Sequence, residues 1–410
     1  IFFVCPRFLF SRNKAPFFET VVADFIKMTL FIIVIGYILV LIKLFEVISI
    51  VSILLILSAR QYLKNKSLSS WEEAADHMAI RLYNYLDGIT HPFKSIKYRR
   101  HINRMRKDTD RKNAAENIGR VFMFVILSSV IAYSGYLRAA DAFIHAAPAM
   151  SDAYVTLAWM KYIDKRILFH DGIYPQGFHI YLAFINKFAA IDPLYVLRYT
   201  GPFNGILATL GIYFAVSRFT RSNASGVMAA SIYGFMGMYL PMGWERQAST
   251  NSQEFAFVFV LPVLYFFYRY MVDSREEDFR TAAAGITVIG LVHQMAFAFA
   301  VMGMGILVVA ASISGFKKHW GNIRKTCLAG AYATVIAVLP LGIGIILGAE
   351  MHGSSAEYLL SNAKYYMPAL SDMNMVDKIA LGFLAPVALC AAFNGKRAGS
   401  LLAGRFMTFL

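Results

Sequence analysis

Long apolar runs separated by short polar stretches dominate the chain. A hydrocarbon core about 30 Å thick takes about 20 apolar residues of helix. Runs of that order lie at 121–137, 194–217, 225–243, 254–272, 282–313 and 327–348, with shorter ones at 177–190, 378–393 and 399–410. Residues 28–59 are apolar except for Lys43 and Glu46. That run is long for one helix and short for two, so a tight hairpin and one long tilted helix both fit. His293-Gln294 interrupts 282–313 and predicts two short helices meeting at one face. The pattern predicts an all-α polytopic membrane protein.

Composition narrows the class. Hydrophobic residues make up 58% and charged residues 16%, with a mean hydropathy of +0.52. Average globular chains hold about 45–50% and about 25%. Too few charges remain to cover a soluble protein of 410 residues, which excludes a soluble enzyme, a disordered chain and a disulfide scaffold. Cys5, Cys327 and Cys390 lie far apart and form no zinc or redox spacing. Ile1 and the apolar end at Leu410 read as cuts in a longer protein.

The net charge of +15 then reads as positive cytoplasmic loops. No aromatic interleaving or motif joins the basic residues to nucleic acid. Residues 60–120 carry an excess of seven Lys and Arg over Asp and Glu, and 218–224, 273–281, 314–326 and 394–398 are basic too. These segments are expected on the cytoplasmic side of the cell membrane. The outer side then holds 138–176, about 244–253, the 293–294 break and 349–377. The alternation requires that 177–190 and 194–217 do not both cross fully, so 177–190 is expected to be shallow.

Three regions follow: an N-terminal membrane segment, 1–59; a basic linker, 60–120; and a transmembrane core, 121–410, with its outer loop at 138–176. Within the linker, Ser70-Trp71-Glu72-Glu73 opens a predicted helix over 70–87. The Lys/Arg-rich stretch 94–112 fits either an amphipathic strip on anionic headgroups or a loop that only sets topology.

Polar groups concentrate in the outer segments. They read Ser151-Asp152-Ala153-Tyr154, then Lys161 to Arg166, then His170-Asp171-Gly172-Ile173-Tyr174-Pro175-Gln176-Gly177-Phe178-His179. Pro193 and Arg198-Tyr199-Thr200-Gly201-Pro202 follow. Over roughly 120–310 this order resembles the GT-C class of integral membrane glycosyltransferases. Asp152 with Leu157 resembles the class's early Asp-x-x-x-x-Leu, the Tyr174–His179 stretch its Tyr-Pro-x-Gly-x-His element, and Pro193 with Arg198–Pro202 its Pro…Arg-x-x-Gly-Pro stretch. Many relatives pair acids where this chain has Ser151-Asp152-Ala153, so a divalent metal is left open. The resemblance implies a bundle of about 9–12 transmembrane helices with a helical first outer loop. It also implies a polyprenyl-phosphate sugar donor, a sugar, lipid or protein acceptor, and often a soluble outer domain beyond the C-terminus.

The chemistry can be reasoned beside it. An inverting sugar transfer needs one base at the acceptor hydroxyl, for which a carboxylate suffices. Asp152 is the candidate catalytic base. As the first acid of an apolar-periodic run it also fits a helix N-cap. Asp141 and Asp171 are rivals, whereas Asp164 beside Lys165 and Arg166 reads as a solvated face. The departing phosphate calls for Arg or Lys, with Arg246, Arg198 and Lys161 as candidates. His179 opens a helix and His293 stands at a polar break, which at membrane depth needs protein or water to satisfy it. In the class an outer His between two short helices lines the site. Glu254, at the end of the polar stretch Trp244–Glu254, is the remaining candidate substrate-binding residue, with helix capping as its other reading.

A flippase or secondary transporter of lipid-linked substrates is the alternative reading. Transporters place ionisable residues near the midplane and repeat their halves, and no repeat is visible between 121–230 and 254–410. A polymerase or ligase of undecaprenyl-linked chains fits less well, since its large outer loop is expected late in the chain.

Overall fold

A computed structural model describes residues 6, 16–65, 119, 121–148, 151–236 and 243–350 of the chain. These are helical apart from turns and one isolated bridge. Eleven helices are described: α1 Phe17–Leu41, α2 Val47–Asn65, α3 Val121–Ile144, α4 Ser151–Asp164, α5 Gly177–Ala189, α6 Pro193–Thr220, α7 Asn223–Met236, α8 Gly243–Ala248, α9 Ser252–Asp273, α10 Glu276–Val292 and α11 Gln294–Ile346. Four of them (α1, α3, α9, α11) are long and apolar enough to cross a membrane, or five spans if the bent pair α5–α6 counts as one. The chain is thus an all-α protein with the make-up of a multi-pass membrane protein. The expected helix at 70–87, the strip at 94–112, the loop 349–377 beyond its first two residues and the spans at 378–393 and 399–410 lie outside the described residues.

Local sequence explains most boundaries. Asp192 accepts a hydrogen bond from the Leu194 amide (2.8 Å), and Pro193 occupies the first helical position of α6. Asn251 accepts from the Glu254 amide (2.8 Å) and starts α9. Glu276, Glu277 and Asp278 crowd the first turn of α10, where the macrodipole favours acids. The 28–59 run resolves into two helices, α1 and α2, joined by Ile42–Glu46.

Two expectations need correction. The 282–313 run breaks into two helices at His293, as expected, but α10 begins earlier than the run, at its acidic cluster, and is seventeen residues long. The basic stretch 314–326 does hold the break between spans, at Gly315, but its remaining residues are helix and not loop. α11 is two helices meeting across a kink at Gly315, whose φ of 155° favours glycine, and the second doubles back on the first, so that a Cβ at Gly330 would lie 3.4 Å from the Met304 side chain. Lys317, Lys318, Arg324 and Lys325 are good helix formers, so the helix after Gly315 begins within the basic stretch and not after it.

α9 is the hub. It packs against α5, α6, α10 and α11, and Phe255, Phe259, Val263, Phe266 and Phe267 are all buried. Phe25 of α1 stacks on Phe259 at 5.4 Å, and Phe178 of α5 meets Phe255 at 5.0 Å. The outer helices leave Phe122, Phe124, Val125, Met302, Val309, Val335 and Leu339 exposed. So much uncovered apolar surface is what lipid contact requires.

The bundle has two chemically different ends. At one, Glu19 of α1 pairs with Arg269 and Arg218, Arg269 binds Asp278 (Nε–Oδ2 2.6 Å), and Lys27 pairs with Glu277. Asn322 donates to Ser274 Oγ (2.8 Å) at the same end. Three of the segments grouped by their basic charge are thereby tied to one another or to α1. α5 begins deep, with Gly177 against Leu291 O and Ile33, and ends near Glu46, which Lys187 reaches at 3.2 Å. At thirteen residues it is about 20 Å long, too short to cross, and the chain then turns by 119° into α6.

Candidate functional site

The other end gathers side chains from four separate stretches of sequence. Asp152 lies in the first turn of α4, with its side chain 58% exposed. Arg246, on the short helix α8, approaches it with Nη1 3.9 Å from Oδ2. A second guanidinium nitrogen of Arg246 donates to Gln253 Oε1 at 2.6 Å. Tyr174 shares a hydrogen bond with Ser252 across 3.1 Å. Burial pushes its phenol pKa up, and Asp152 and Arg246 both act on it electrostatically. Glu254, in the first turn of α9, feels Arg246 and Arg138. His293, between α10 and α11, is held below the usual imidazole range, at about 4, by burial first and by Arg246 second. Its Nδ1 accepts from the Ala296 amide at 3.4 Å, which leaves Nε2 to carry the proton of the neutral ring.

Backbone packing sets this arrangement. Asn251 Nδ2 donates to Arg246 O (3.3 Å) and Ser249 Oγ (2.8 Å), and the Thr250 hydroxyl donates to Leu197 O of α6. The turn after α8 lies directly on α6 at Gly201, where a Cβ would stand 2.0 Å from Ala248 O. On the other flank Gln176 N donates to the Tyr37 hydroxyl at 2.7 Å, fixing the stretch of chain that delivers Tyr174.

Arg138 of α3 is the residue that sequence reasoning missed. It is 1% exposed. Its Nη1 donates to Ser134 Oγ (2.6 Å) and Gly234 O (3.2 Å), and its Nη2 to Tyr233 O (3.2 Å) and Gln247 Oε1 of α8. It therefore ties α3, α7 and α8 together directly behind Arg246. A lone cation closing an apolar run was the only signal.

The remaining candidates fall elsewhere. His179 is 3% exposed and packs edge-on against Trp159 at 4.5 Å, behind Tyr174. Lys161 is exposed on the last turn of α4, nine residues or about 13 Å along the helix from Asp152. Asp171 is exposed in the turn before Ile173. Asp141 pairs with His145 at 3.6 Å. Arg198 donates through Nε to Ala142 O and lines a cavity on the α3 side of α8. Asp164 meets Lys187 at 2.9 Å, a surface pair. Among the described residues no three His, Cys, Asp or Glu side chains form a group able to hold a metal ion.

An apolar groove of about 480 Å³ opens beside the cluster. Ala208 and Ile212 of α6, Leu261 of α9 and Met302 of α11 form its walls, and Tyr233, Gln247 and Glu254 close its polar end. Glu254 and Leu264 both line it, so it runs about 15 Å along α9. Phe299, Met302 and Ile306 on its wall are themselves exposed, which leaves the groove accessible from the lipid-facing surface. No protein-family model and no curated protein matches the chain.

Proposed function

We propose that the protein is a membrane glycosyltransferase of the GT-C kind, transferring a sugar from a polyprenyl phosphate to an acceptor hydroxyl at the outer face of the cell membrane. One observation carries this reading: Glu254 closes the polar end of an apolar groove that fits part of an isoprenoid tail, and Arg246, which acts on Glu254 electrostatically, pairs with Asp152. The tail lies between α6, α9 and α11, and the phosphate meets Arg246. Asp152 removes the acceptor's proton as its oxygen attacks the anomeric carbon. The bond from that carbon to the phosphate oxygen breaks, and the electron pair leaves with polyprenyl phosphate. The product is inverted at the anomeric centre, and Asp152 later returns its proton to water. Glu254 and His293 Nε2–H supply hydrogen-bond partners for sugar hydroxyls. Tyr174 holds the α4 side of the site in place.

The test is transfer of label from a polyprenyl-phosphate sugar by purified protein. Asp152→Asn is expected to bind donor normally and to lose at least about a hundredfold in rate, the range of a single acid–base group. Transfer at the parental rate ends the base assignment. Label crossing a sealed vesicle with no covalent product makes the protein a transporter.

A further inference from the structure

A second cavity, of about 300 Å³, reaches α8 at Ala248 and shares no lining residue with the apolar groove, which reaches α8 at Gln247. α3, α6 and the 248–250 turn enclose it, with Arg138, Asp141, Ala153 and Arg198 among its lining. We infer that this cavity is a binding site for a phosphate ester, held by the Arg198 guanidinium and distinct from the position of the proposed donor phosphate at Arg246. The inference stands apart from the sugar-transfer reading.

The chemistry of the lining carries it. Arg198 is half-buried and lies over the Tyr199 ring at 5.3 Å. Its Nε is used on Ala142 O, and among the described residues its two amino groups have no partner and no carboxylate within 4 Å. A half-buried guanidinium with two unused amino groups at a cavity wall is placed to bind an anion, and those groups match two oxygens of a phosphate. Arg138 adds a second cation to the same wall. Asp141, the one carboxylate in the lining, is half-exposed and close to His145. It does not compete for Arg198 and is free to accept from a hydroxyl or ammonium next to the phosphate. The Thr250 hydroxyl donates to Leu197 O, so it is not a donor for the phosphate. Phosphate esters reach this site from two sources, a phospholipid headgroup or a soluble phosphomonoester.

Phenylglyoxal labelling of the full chain, read by peptide mass spectrometry, separates the outcomes. In detergent, inorganic phosphate at about four times its dissociation constant is expected to slow labelling of Arg198 about fivefold and to leave Arg221, exposed at the far end of the bundle, unchanged. That result assigns a soluble phosphate ester. Protection seen only in phosphatidylglycerol vesicles, and not in phosphatidylcholine, assigns a lipid headgroup. Ala153→Leu, which fills the cavity, is expected to abolish either protection. Equal labelling of Arg198 under all conditions, or equal protection of Arg198 and Arg221, overturns the inference. Those two outcomes are read on the parental chain and do not depend on whether Ala153→Leu folds.

Discussion

Arg138 shows how much one side chain organises here. Its guanidinium reaches Gln247, Ser134 and two main-chain carbonyls, and cutting it back strands those acceptors in a dry interface. Each unsatisfied buried group costs about 1–3 kcal/mol. Arg138→Met is expected to lose about 3 kcal/mol of stability, read as a lower unfolding midpoint in detergent, with Arg138→Lys recovering part. The position was not legible because a cation at the end of an apolar run ordinarily reaches outward to headgroups. Asp152 and Arg246 were legible because they stand in stretches dense with polar residues between spans, where burial has no claim on them. His293 gives a pH signature. The folded state keeps its imidazole neutral down to about pH 4, whereas the unfolded chain titrates near 6.5. Between those values the unfolded state binds more protons, so this group makes stability rise with pH across the window. His293→Gln is expected to flatten that part of the profile by roughly 3 kcal/mol, checked by unfolding the two proteins side by side from pH 4 to 7.

At the scale of elements, the site depends on where α8 sits. The contact of Gly201 with Ala248 O involves backbone on one side, so no rotamer change relieves a larger residue there. Gly201→Ala is expected to push α8 off α6 and to separate Arg246 from Asp152. The cost in stability is about 1–3 kcal/mol, and under the proposed reading the loss of transfer activity is far larger than that cost implies. A matched drop in both would make Gly201 a packing residue only. Apolar periodicity located most of these helices, since α3, α6, α9 and α10 all contain runs that stand out by length. At 314–326 it located the break, which falls at Gly315, but not the start of the next helix, because hydropathy records where a helix leaves lipid and not where its hydrogen bonding begins. A backbone ladder continues through lysines and arginines as readily as through leucines. The 119° turn between α5 and α6 was visible only indirectly, as a span too many for the charge alternation.

Across the whole molecule, the two ends solve different problems. One end is closed by Glu19, Arg269 and Asp278, all nearly buried. Removing one partner of such a cluster costs about 3–5 kcal/mol, so Arg269→Gln is expected to lower the unfolding midpoint without touching ligand binding at the other end. There the charges stay half-exposed and the apolar groove lies open to the lipid-facing surface, an arrangement that sacrifices closure for access. If that groove holds an isoprenoid tail, chain length must matter to binding. Each methylene withdrawn from water contributes about 0.8 kcal/mol. A ring at Ala208, which lines the groove and is itself buried, displaces about four of them. Ala208→Phe is therefore expected to weaken a long-chain donor by about 3 kcal/mol, or about a hundredfold in KM. A short-chain, water-soluble donor that never enters the groove is expected to keep its KM and its kcat. Equal weakening of both donors would assign the effect to distortion of Glu254 and Gln247 at the groove's polar end, and the tail would then have to lie elsewhere.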